Sequence, residues 1–275
     1  MSKKSKSSKH KRSVVTAFST APSGVHERLR QISDQLLQQD YEGAVANCEQ
    51  LLSYLPQSSP VRVDVLGQLG TAYNMAQDFP KAYAVLTQAI SLRPHDPLLW
   101  HNRGLASRFT SRFGQSFRDF ERAAALNTDP ALKKEIDREL PFGAQVVKDS
   151  IKLRGPNFTL DQLIEQEDIY TRGLNLLESH QWHEAVQMFQ AAIAMGDCVP
   201  QPWFNIAGCY MRQGRYDEAE AALKRALEIE PDYTLAKRSL AALPEIRRFG
   251  LPENTGTYDP FKGTVNQSLT FIMES

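Results

Sequence analysis

Apolar and polar positions along the chain repeat with a period of 34 residues. Residues 166–199 and 200–233 carry apolar or small side chains at matching positions, and residues 63–96 and 97–130 form a second pair with the same step. A weaker copy occupies residues 25–58. Within each copy the apolar positions lie three and four residues apart, which predicts two amphipathic helices. Self-similarity at this period predicts an all-α chain of helix–turn–helix repeats, stacked so that neighbours bury each other's apolar faces.

Three kinds of residue mark fixed positions in these copies. Small residues occur where two helices must approach closely; they are Gly70, Gly104, Gly173 and Ala207 in the first helix, and Ala82, Ala185 and Ala219 in the second. An aromatic residue begins the second helix and fills the turn; these are Phe79, Phe113, Trp182 and Tyr216. Proline ends the second helix in three copies, because it cannot continue a helix; these are Pro56, Pro94 and Pro231.

This pattern resembles the tetratricopeptide repeat, and the five copies cover 170 of the 275 residues. The resemblance implies a helical-repeat solenoid in the form of a right-handed superhelix. Two positions depart from the pattern. Ile32 stands in a small position, so we expect the two helices of the first repeat to lie further apart. Arg103 stands where Leu69 and Ile206 occur in related repeats.

The repeat pattern is lost between Pro130 and Gln166, which predicts two blocks of repeats separated by an irregular insert, with flexible termini. In the insert, residues 131–140 predict an amphipathic helix that Pro141 and Gly143 end, and Thr159 is an expected N-cap for a long helix. Leu269, Phe271, Ile272 and Met273 form an apolar cluster near the C-terminus. The predicted segments are a basic disordered tail (1–24), three repeats (25–58, 63–96 and 97–130, within 25–130), an insert (131–165), two repeats (166–199 and 200–233, within 166–233), a capping helix (234–249) and an extended segment (250–275).

The formal charge is zero, with 32 basic and 32 acidic residues, but residues 1–12 hold six basic residues and no acid. This tail is interpreted as a solvated segment or as an electrostatic tether to nucleic acid, a ribosome or an anionic membrane. Its charged residues are Lys3, Lys4, Lys6, Lys9, Lys11 and Arg12. No apolar run is long enough to span a bilayer. Cys48, Cys198 and Cys209 lack a CxxC spacing and suit a reducing compartment, so we expect a cytoplasmic protein.

Catalytic motifs are not apparent in this sequence. His180 and His183 lie three residues apart in HQWHE, but they lack the HExxH order and a third ligand nearby. No histidine lies at a diagnostic distance from a cysteine, and no glycine-rich phosphate loop occurs. We therefore predict a protein that is not an enzyme and that requires no metal or cofactor.

The resemblance instead implies a scaffold or adaptor that binds a segment of a partner protein. In this family peptides lie on the concave face, which the first helix of each repeat lines. The corresponding residues are Asn74, Met75, His101, Leu105, Arg108, Phe109, Tyr170, Leu174, Leu177, Phe204, Met211 and Arg212. The alternative is that flanking segments of the chain cover this face. A second functional alternative is an accessory factor that the basic tail holds on nucleic acid or a ribosome.

Two further expectations concern the type of partner. Chaperone-binding members clamp a terminal carboxylate, but only Asn102 and Asn205 match that clamp here, which argues against this class of partner. The third repeat is rich in arginine, which favours either a site for an acidic or phosphorylated ligand or, as we prefer, pairing with the acidic body. Its charged residues are Arg103, Arg108, Arg112, Arg118 and Arg122 against Asp119, Glu121 and Asp129.

Overall fold

The computed structural model describes residues 23–251, and within this range the chain forms twelve α-helices and no strand. The prediction of an all-α helical-repeat fold is therefore confirmed. The helices are α1 (Ser23–Leu37), α2 (Tyr41–Tyr54), α3 (Arg62–Met75), α4 (Phe79–Leu92), α5 (Pro97–Phe109), α6 (Phe113–Leu126), α7 (Pro130–Arg154), α8 (Leu160–Glu178), α9 (Trp182–Met195), α10 (Gln201–Arg212), α11 (Tyr216–Ile229) and α12 (Thr234–Phe249).

The described residues form two compact units. The first contains the residues up to Asn102 together with Ala123–Asp137, and the second contains Arg103–Arg122 together with the residues from Arg138 onward. In the first unit α1 packs on α2 and α3, α2 packs on α3, and α3 packs on α4. In the second unit α8, α9, α10, α11 and α12 pack in chain order, each on the next. Neighbouring helices along the chain are thus neighbours in space, as stacked helix pairs require.

Local residues explain where the helices of the first unit begin. Asp40 precedes α2 and its side chain accepts a hydrogen bond from the backbone of Gly43, at 3.0 Å. Asp78 precedes α4 and accepts from the backbone of Lys81, at 3.4 Å. Each aspartate satisfies one N–H group of the first turn, which has no partner within the helix. These caps place the start of each second helix at the aromatic residue, Tyr41 or Phe79.

The second unit is closed by α12. Its Ala236 and Leu243 are buried in the core of the unit, whereas Lys237 and Arg238 are exposed. One face therefore packs and the other is solvated, as in a helix that covers the end of a stack.

The N-cap predicted at Thr159 is confirmed. The Thr159 hydroxyl accepts a hydrogen bond from the backbone N–H of Gln162, and the Gln162 side chain accepts one from the backbone N–H of Thr159.

The prediction that Pro141 and Gly143 end a helix was wrong, because α7 continues through both as one helix of 25 residues. Proline in a helix interior costs about 3 kcal/mol, since it removes a hydrogen bond and crowds the preceding turn. Ile136 before the proline and Val147 after it are both buried, and we attribute the continuity of the helix to their packing. At Gly143 an added Cβ would lie 3.3 Å from the ring of Phe117, so the glycine allows a close helix contact.

The close contact between Gly173 and Phe189 provides a test of the repeat register. A Cβ at this position would lie 2.6 Å from Cε1 of Phe189, whose side chain is fully buried. We expect Gly173→Ala to lower the free energy of unfolding by about 1–3 kcal/mol, because a packed ring must move. Urea denaturation would measure the loss. Gly24→Ala is the matched control, since no atom lies within 4 Å of its Cβ position and alanine favours a helix. Equal midpoints for the two variants would contradict this packing.

Candidate partner-binding surface

Three predicted contact residues share one face of α8 in the second unit. Tyr170, Leu174 and Leu177 are spaced by four and three residues, so they lie on the same side of the helix. All three are half-buried and pack against the core formed by α9, α10, α11 and α12. Arg212, in the last turn of α10, is exposed, and its guanidinium lies 5.0 Å from the ring centroid of Trp182. This combination is a partly exposed apolar face together with an accessible cation.

Contacts with Asn205 and Phe189 hold the Tyr170 side chain in place. The side-chain amide of Asn205 donates a hydrogen bond to the Tyr170 hydroxyl at 2.8 Å, and the ring centroids of Tyr170 and Phe189 are 5.5 Å apart. Burial raises the pKa of Tyr170 above its ordinary value, so the hydroxyl stays neutral. Asn205 itself is buried. The hydrogen bond from Asn205 therefore orients Tyr170 inside the protein, and the amide lies away from the solvent.

Two of the predicted residues in α10 are not accessible. Phe204 and Met211 are only 1% and 3% exposed, and both belong to the core of the second unit. The ring of Tyr233, which precedes α12, meets that of Phe204 edge-on with their centroids 5.7 Å apart. The repeat pattern correctly placed both residues on the first helix of the last repeat. It did not predict which side chains would pack over them. In this structure a partner cannot reach either side chain, and Arg212 is the accessible predicted residue of α10.

In the first unit, the predicted residues differ in exposure. Met75 is 48% exposed, whereas Asn74 is half-buried and its side-chain amide donates to the backbone carbonyl of Asn102, at 2.9 Å. His101 is buried, and its Nε2 lies 3.9 Å from a carboxylate oxygen of Glu135 in α7. The side-chain amide of Asn102 donates to the hydroxyl of Thr71, at 3.0 Å. Both asparagines that matched the carboxylate clamp, Asn102 and Asn205, thus make internal hydrogen bonds.

In the second unit, α7 contacts the exposed side of α5. Leu105, Arg108 and Phe109 are half-buried. The Arg108 guanidinium pairs with Glu139 and lies 4.3 Å from the ring centroid of Phe142, and both of these partners belong to α7. Part of the predicted face is therefore covered by a flanking helix, as the alternative interpretation of this face anticipated. The remaining accessible part of the surface in this unit lies on α8 and α10.

The arginine-rich third repeat forms internal ion pairs. Arg103 and Asp119 are joined at 2.6 Å, and the Asp119 side chain is completely buried. Burial raises the pKa of Asp119, and the hydrogen bond and charge of Arg103 oppose that rise. Pairing with acidic residues, the interpretation we preferred, is confirmed for four of the five arginines. The pairs are Arg103–Asp119, Arg108–Glu139, Arg112–Asp168 and Arg118–Asp161.

The side chains considered for catalysis have ordinary structural surroundings. His180 lies in the turn before α9, and its ring packs edge-on to Trp182 at 4.9 Å. Burial raises the pKa of the Cys48 and Cys209 thiols to about 12, which keeps both protonated at neutral pH. Among the described residues, no group of three or more His, Cys, Asp or Glu side chains could hold a metal ion. None of the helices within residues 23–251 is long and apolar enough to cross a bilayer.

Glu167 is a notable residue that the sequence reasoning missed. Both carboxylate oxygens accept from the backbone N–H of Gly114 at 3.0 Å, and one accepts from Gln115 at 3.5 Å. Burial raises the pKa of Glu167 to about 7, although these hydrogen bonds act in the opposite direction. The sequence offered little signal for this contact: Arg112 stands where the first two repeats have Asp40 and Asp78, but Arg215 holds the same position before α11.

Comparison with known proteins supports a common repeat architecture. Residues 176–243 match the family described as tetratricopeptide repeat. The chain is 33% identical over 88 residues to the mouse protein O-mannosyl-transferase TMTC1, a match that covers 32% of this chain and 9% of that protein. The chain thus spans about a tenth of the length of this curated relative.

Two solved structures also resemble this chain. The crystal structure of the P58(IPK) TPR domain has a TM-score of 0.43 and 14% identity, over 82% of this chain and 66% of that one. The TPR2AB-domain:pHSP90 complex of yeast Sti1 has a TM-score of 0.39 and 11% identity, over 92% of this chain and 99% of that one.

The buried pair of Arg103 and Asp119 predicts a specific pattern of stability. In α3 and α4 the equivalent positions hold Leu69 and Val85. We expect Arg103→Leu to cost about 3–5 kcal/mol, because Asp119 is left buried without its partner. The double variant Arg103→Leu with Asp119→Val should recover most of that loss, since an apolar pair often replaces a buried ion pair without cost. Urea denaturation of the three proteins tests this, and a double variant as unstable as the single one would contradict it.

Proposed function

We propose that this chain, whose residues 176–243 match the tetratricopeptide repeat, is a non-catalytic scaffold that binds a segment of a partner polypeptide. The observation that carries the proposal is the accessible face of α8 in the second unit. There Tyr170, Leu174 and Leu177 retain exposed apolar surface, and the exposed Arg212 of α10 lies over Trp182 at the start of α9. The partner segment is therefore expected to be apolar and to carry a carboxylate.

The energetics of this surface favour recognition. Apolar side chains grouped on one exposed face are typical of interaction sites, and aromatic residues and arginine contribute a large share of binding energy at interfaces. Tyr170 is fixed by its hydrogen bond with Asn205 and by its contact with Phe189, so little conformational entropy is lost on binding. Arg212 already lies near Trp182, which limits the rotamers it loses. The preformed side chains offset part of the cost of ordering a flexible peptide.

The alternative function concerns the basic tail. Residues 1–12 lie outside the described residues, and they hold six basic side chains and no acidic one. Such a run neutralises phosphate groups without reading sequence. The alternative is therefore an accessory factor that this tail holds on nucleic acid or a ribosome while the repeats bind a protein.

Peptide selection tests the leading proposal. Random peptides displayed on phage would be selected on the full chain, and the dissociation constant of a selected peptide would be measured for variants. We expect Leu177→Glu and Arg212→Glu each to weaken binding on the order of tenfold or more, because each removes a central contact. Leu153→Glu is the matched control, since Leu153 is exposed on α7 of the same unit. Equal affinity of all three variants and the parent would contradict the proposed surface.

Salt dependence tests the tail. Binding of an RNA oligonucleotide to the full chain is expected to fall with salt, by about 0.7–0.9 log units per phosphate contact for each log unit of salt. Replacing the six lysine and arginine residues of the tail with glutamine should abolish that slope. As the control, peptide binding by the repeats should stay unchanged in the same variant. Retention of RNA binding without the six charges would rule out the tail as the tether.

A further inference from the structure

The accessible face of α8 defines the chemistry of a segment that would fit it. Tyr170, Leu174 and Leu177 are half-buried and leave part of their apolar surface open to solvent. Trp182 begins α9 five residues after Leu177, and the guanidinium of the exposed Arg212 lies over its ring, at 5.0 Å from the centroid. The cation therefore lies toward the Leu177 end of the face. A segment that matches this surface has apolar side chains followed by a carboxylate.

The chain itself contains a segment of this composition. Residues 264–275, which we term the C-terminal segment, have one charged side chain, that of Glu274. Four of the five residues directly before Glu274 are large and apolar; they are Leu269, Phe271, Ile272 and Met273. This apolar cluster lies outside the described residues. Its order, apolar side chains and then a carboxylate, is the one that the α8 face requires.

The length of the intervening chain allows the C-terminal segment to reach this face. Leu251, the last described residue, packs against the same core as Tyr170 and Leu177 and belongs to the same unit. Leu269 follows Leu251 by eighteen positions, and an extended chain spans at most about 3.3–3.6 Å per residue, which gives a reach of about 60 Å. The 19 residues of α8 span about 28 Å. The reach is thus about twice the length of the helix that carries the face.

Charge distinguishes the C-terminal segment from the other apolar stretch outside the described residues. Residues 13–18 hold three large apolar side chains, but they directly follow the six basic residues of the run 1–12. Binding of that stretch would bring like charges toward Arg212, which is unfavourable. The C-terminal segment instead brings a carboxylate, which forms charge-assisted hydrogen bonds with a guanidinium. Charge complementarity therefore favours residues 269–274 as the occupant.

We propose that residues 269–274 bind the α8 face of the second unit and compete there with a partner segment. Their apolar side chains cover the exposed surface of Leu174 and Leu177, and Glu274 pairs with Arg212. This regulation rests on the proposed function, since the α8 face is the binding surface in both. It adds an occupant from the same chain, which a partner must displace.

Attachment to the same chain makes a weak contact effective. A segment joined by a short connection is present at its own site at an effective concentration on the order of 1 mM. With a dissociation constant of about 0.1 mM for the isolated segment, the face is occupied for about nine-tenths of the time. A competing peptide then binds about tenfold more weakly than it binds a chain whose own segment no longer docks.

Competition on the full chain tests the proposal. The probe is a fluorescein-labelled synthetic peptide of residues 264–275, and fluorescence polarisation gives its dissociation constant. In the segment variant of the full chain, serine replaces the four apolar residues Leu269, Phe271, Ile272 and Met273. We expect the probe to bind the segment variant about tenfold more tightly than the parent, because the internal competitor is lost.

The matched control replaces the apolar residues of the other stretch, Val14, Val15 and Phe18, with serine. This control variant should bind the probe as weakly as the parent does. Equal affinity of the parent and the segment variant would overturn the proposal, and so would a probe that does not bind the segment variant. A gain of affinity in the control variant alone would assign the face to residues 13–18 and overturn it as well.

Charge reversal locates the contact. In the segment variant, Arg212→Glu should weaken probe binding about tenfold or more, and a probe that carries Glu274→Arg should recover most of this loss. Leu177→Glu should also weaken binding, whereas Leu153→Glu, on α7, should not. Because Arg212 is exposed, its substitution tests the contact without disturbing the core. A probe insensitive to both Arg212→Glu and Leu177→Glu occupies another surface, which would overturn the proposal.

The phage-selected peptide separates the two levels of the proposal. If its affinity falls in Leu177→Glu and Arg212→Glu but is equal for the parent and the segment variant, the α8 face binds a partner without internal competition, and only the regulation is overturned. If its affinity is unchanged in both substitutions, the α8 face is not the binding surface, and the proposed function is overturned together with the regulation.

Discussion

The repeats depend on one recurring contact between the two helices of a pair. A glycine on the first helix packs against a large side chain that lies sixteen residues further along the chain, on the second helix. Gly70 faces Leu86, Gly104 faces Phe120 and Gly173 faces Phe189, and in each case an added Cβ would lie less than 3.0 Å from that side chain. The three large side chains are buried. Because the contact recurs at the same spacing, it fixes the same close approach of two helices in these three repeats, and stacking then follows from apolar faces that no single pair can bury.

The buried ion pair of the third repeat lies next to one of these glycine contacts. Arg103 and Asp119 are also sixteen positions apart, one residue before Gly104 and Phe120. The buried ion pair thus occupies a site that is apolar in α3 and α4, and it is bordered by the contact that holds the helices together. Burial of both partners makes the pair sensitive to the loss of either, because an isolated charge in this position has no access to water. A basic composition in a repeat is therefore weak evidence for an acidic ligand.

The sequence predicted the parts of the structure that depend on local or periodic signals. The 34-residue period identified the helix pairs, and Thr159 marked the start of α8. It did not predict the continuity of α7, since the local preference of Pro141 is overridden by buried residues less than two turns away on either side, Ile136 and Val147. Nor did it predict that Phe204 is covered, because a repeat position specifies a helix face and not the residue that packs over it. The role of Glu167 depends on a contact across 53 residues, which no local pattern reports.

The distant cap on α6 also has a consequence for the order in which the chain folds. Asp40 and Asp78 cap α2 and α4 from adjacent positions, so these helices hold their own starting signals as soon as they leave the ribosome. The first turn of α6 must wait for Glu167, which is synthesised roughly 3–11 s after Phe113 at ordinary rates. During that interval water is the acceptor for the N–H groups at the start of α6. The final cap of this helix is therefore tied to the arrival of α8, whereas α2 and α4 hold theirs from the moment their own first turns form.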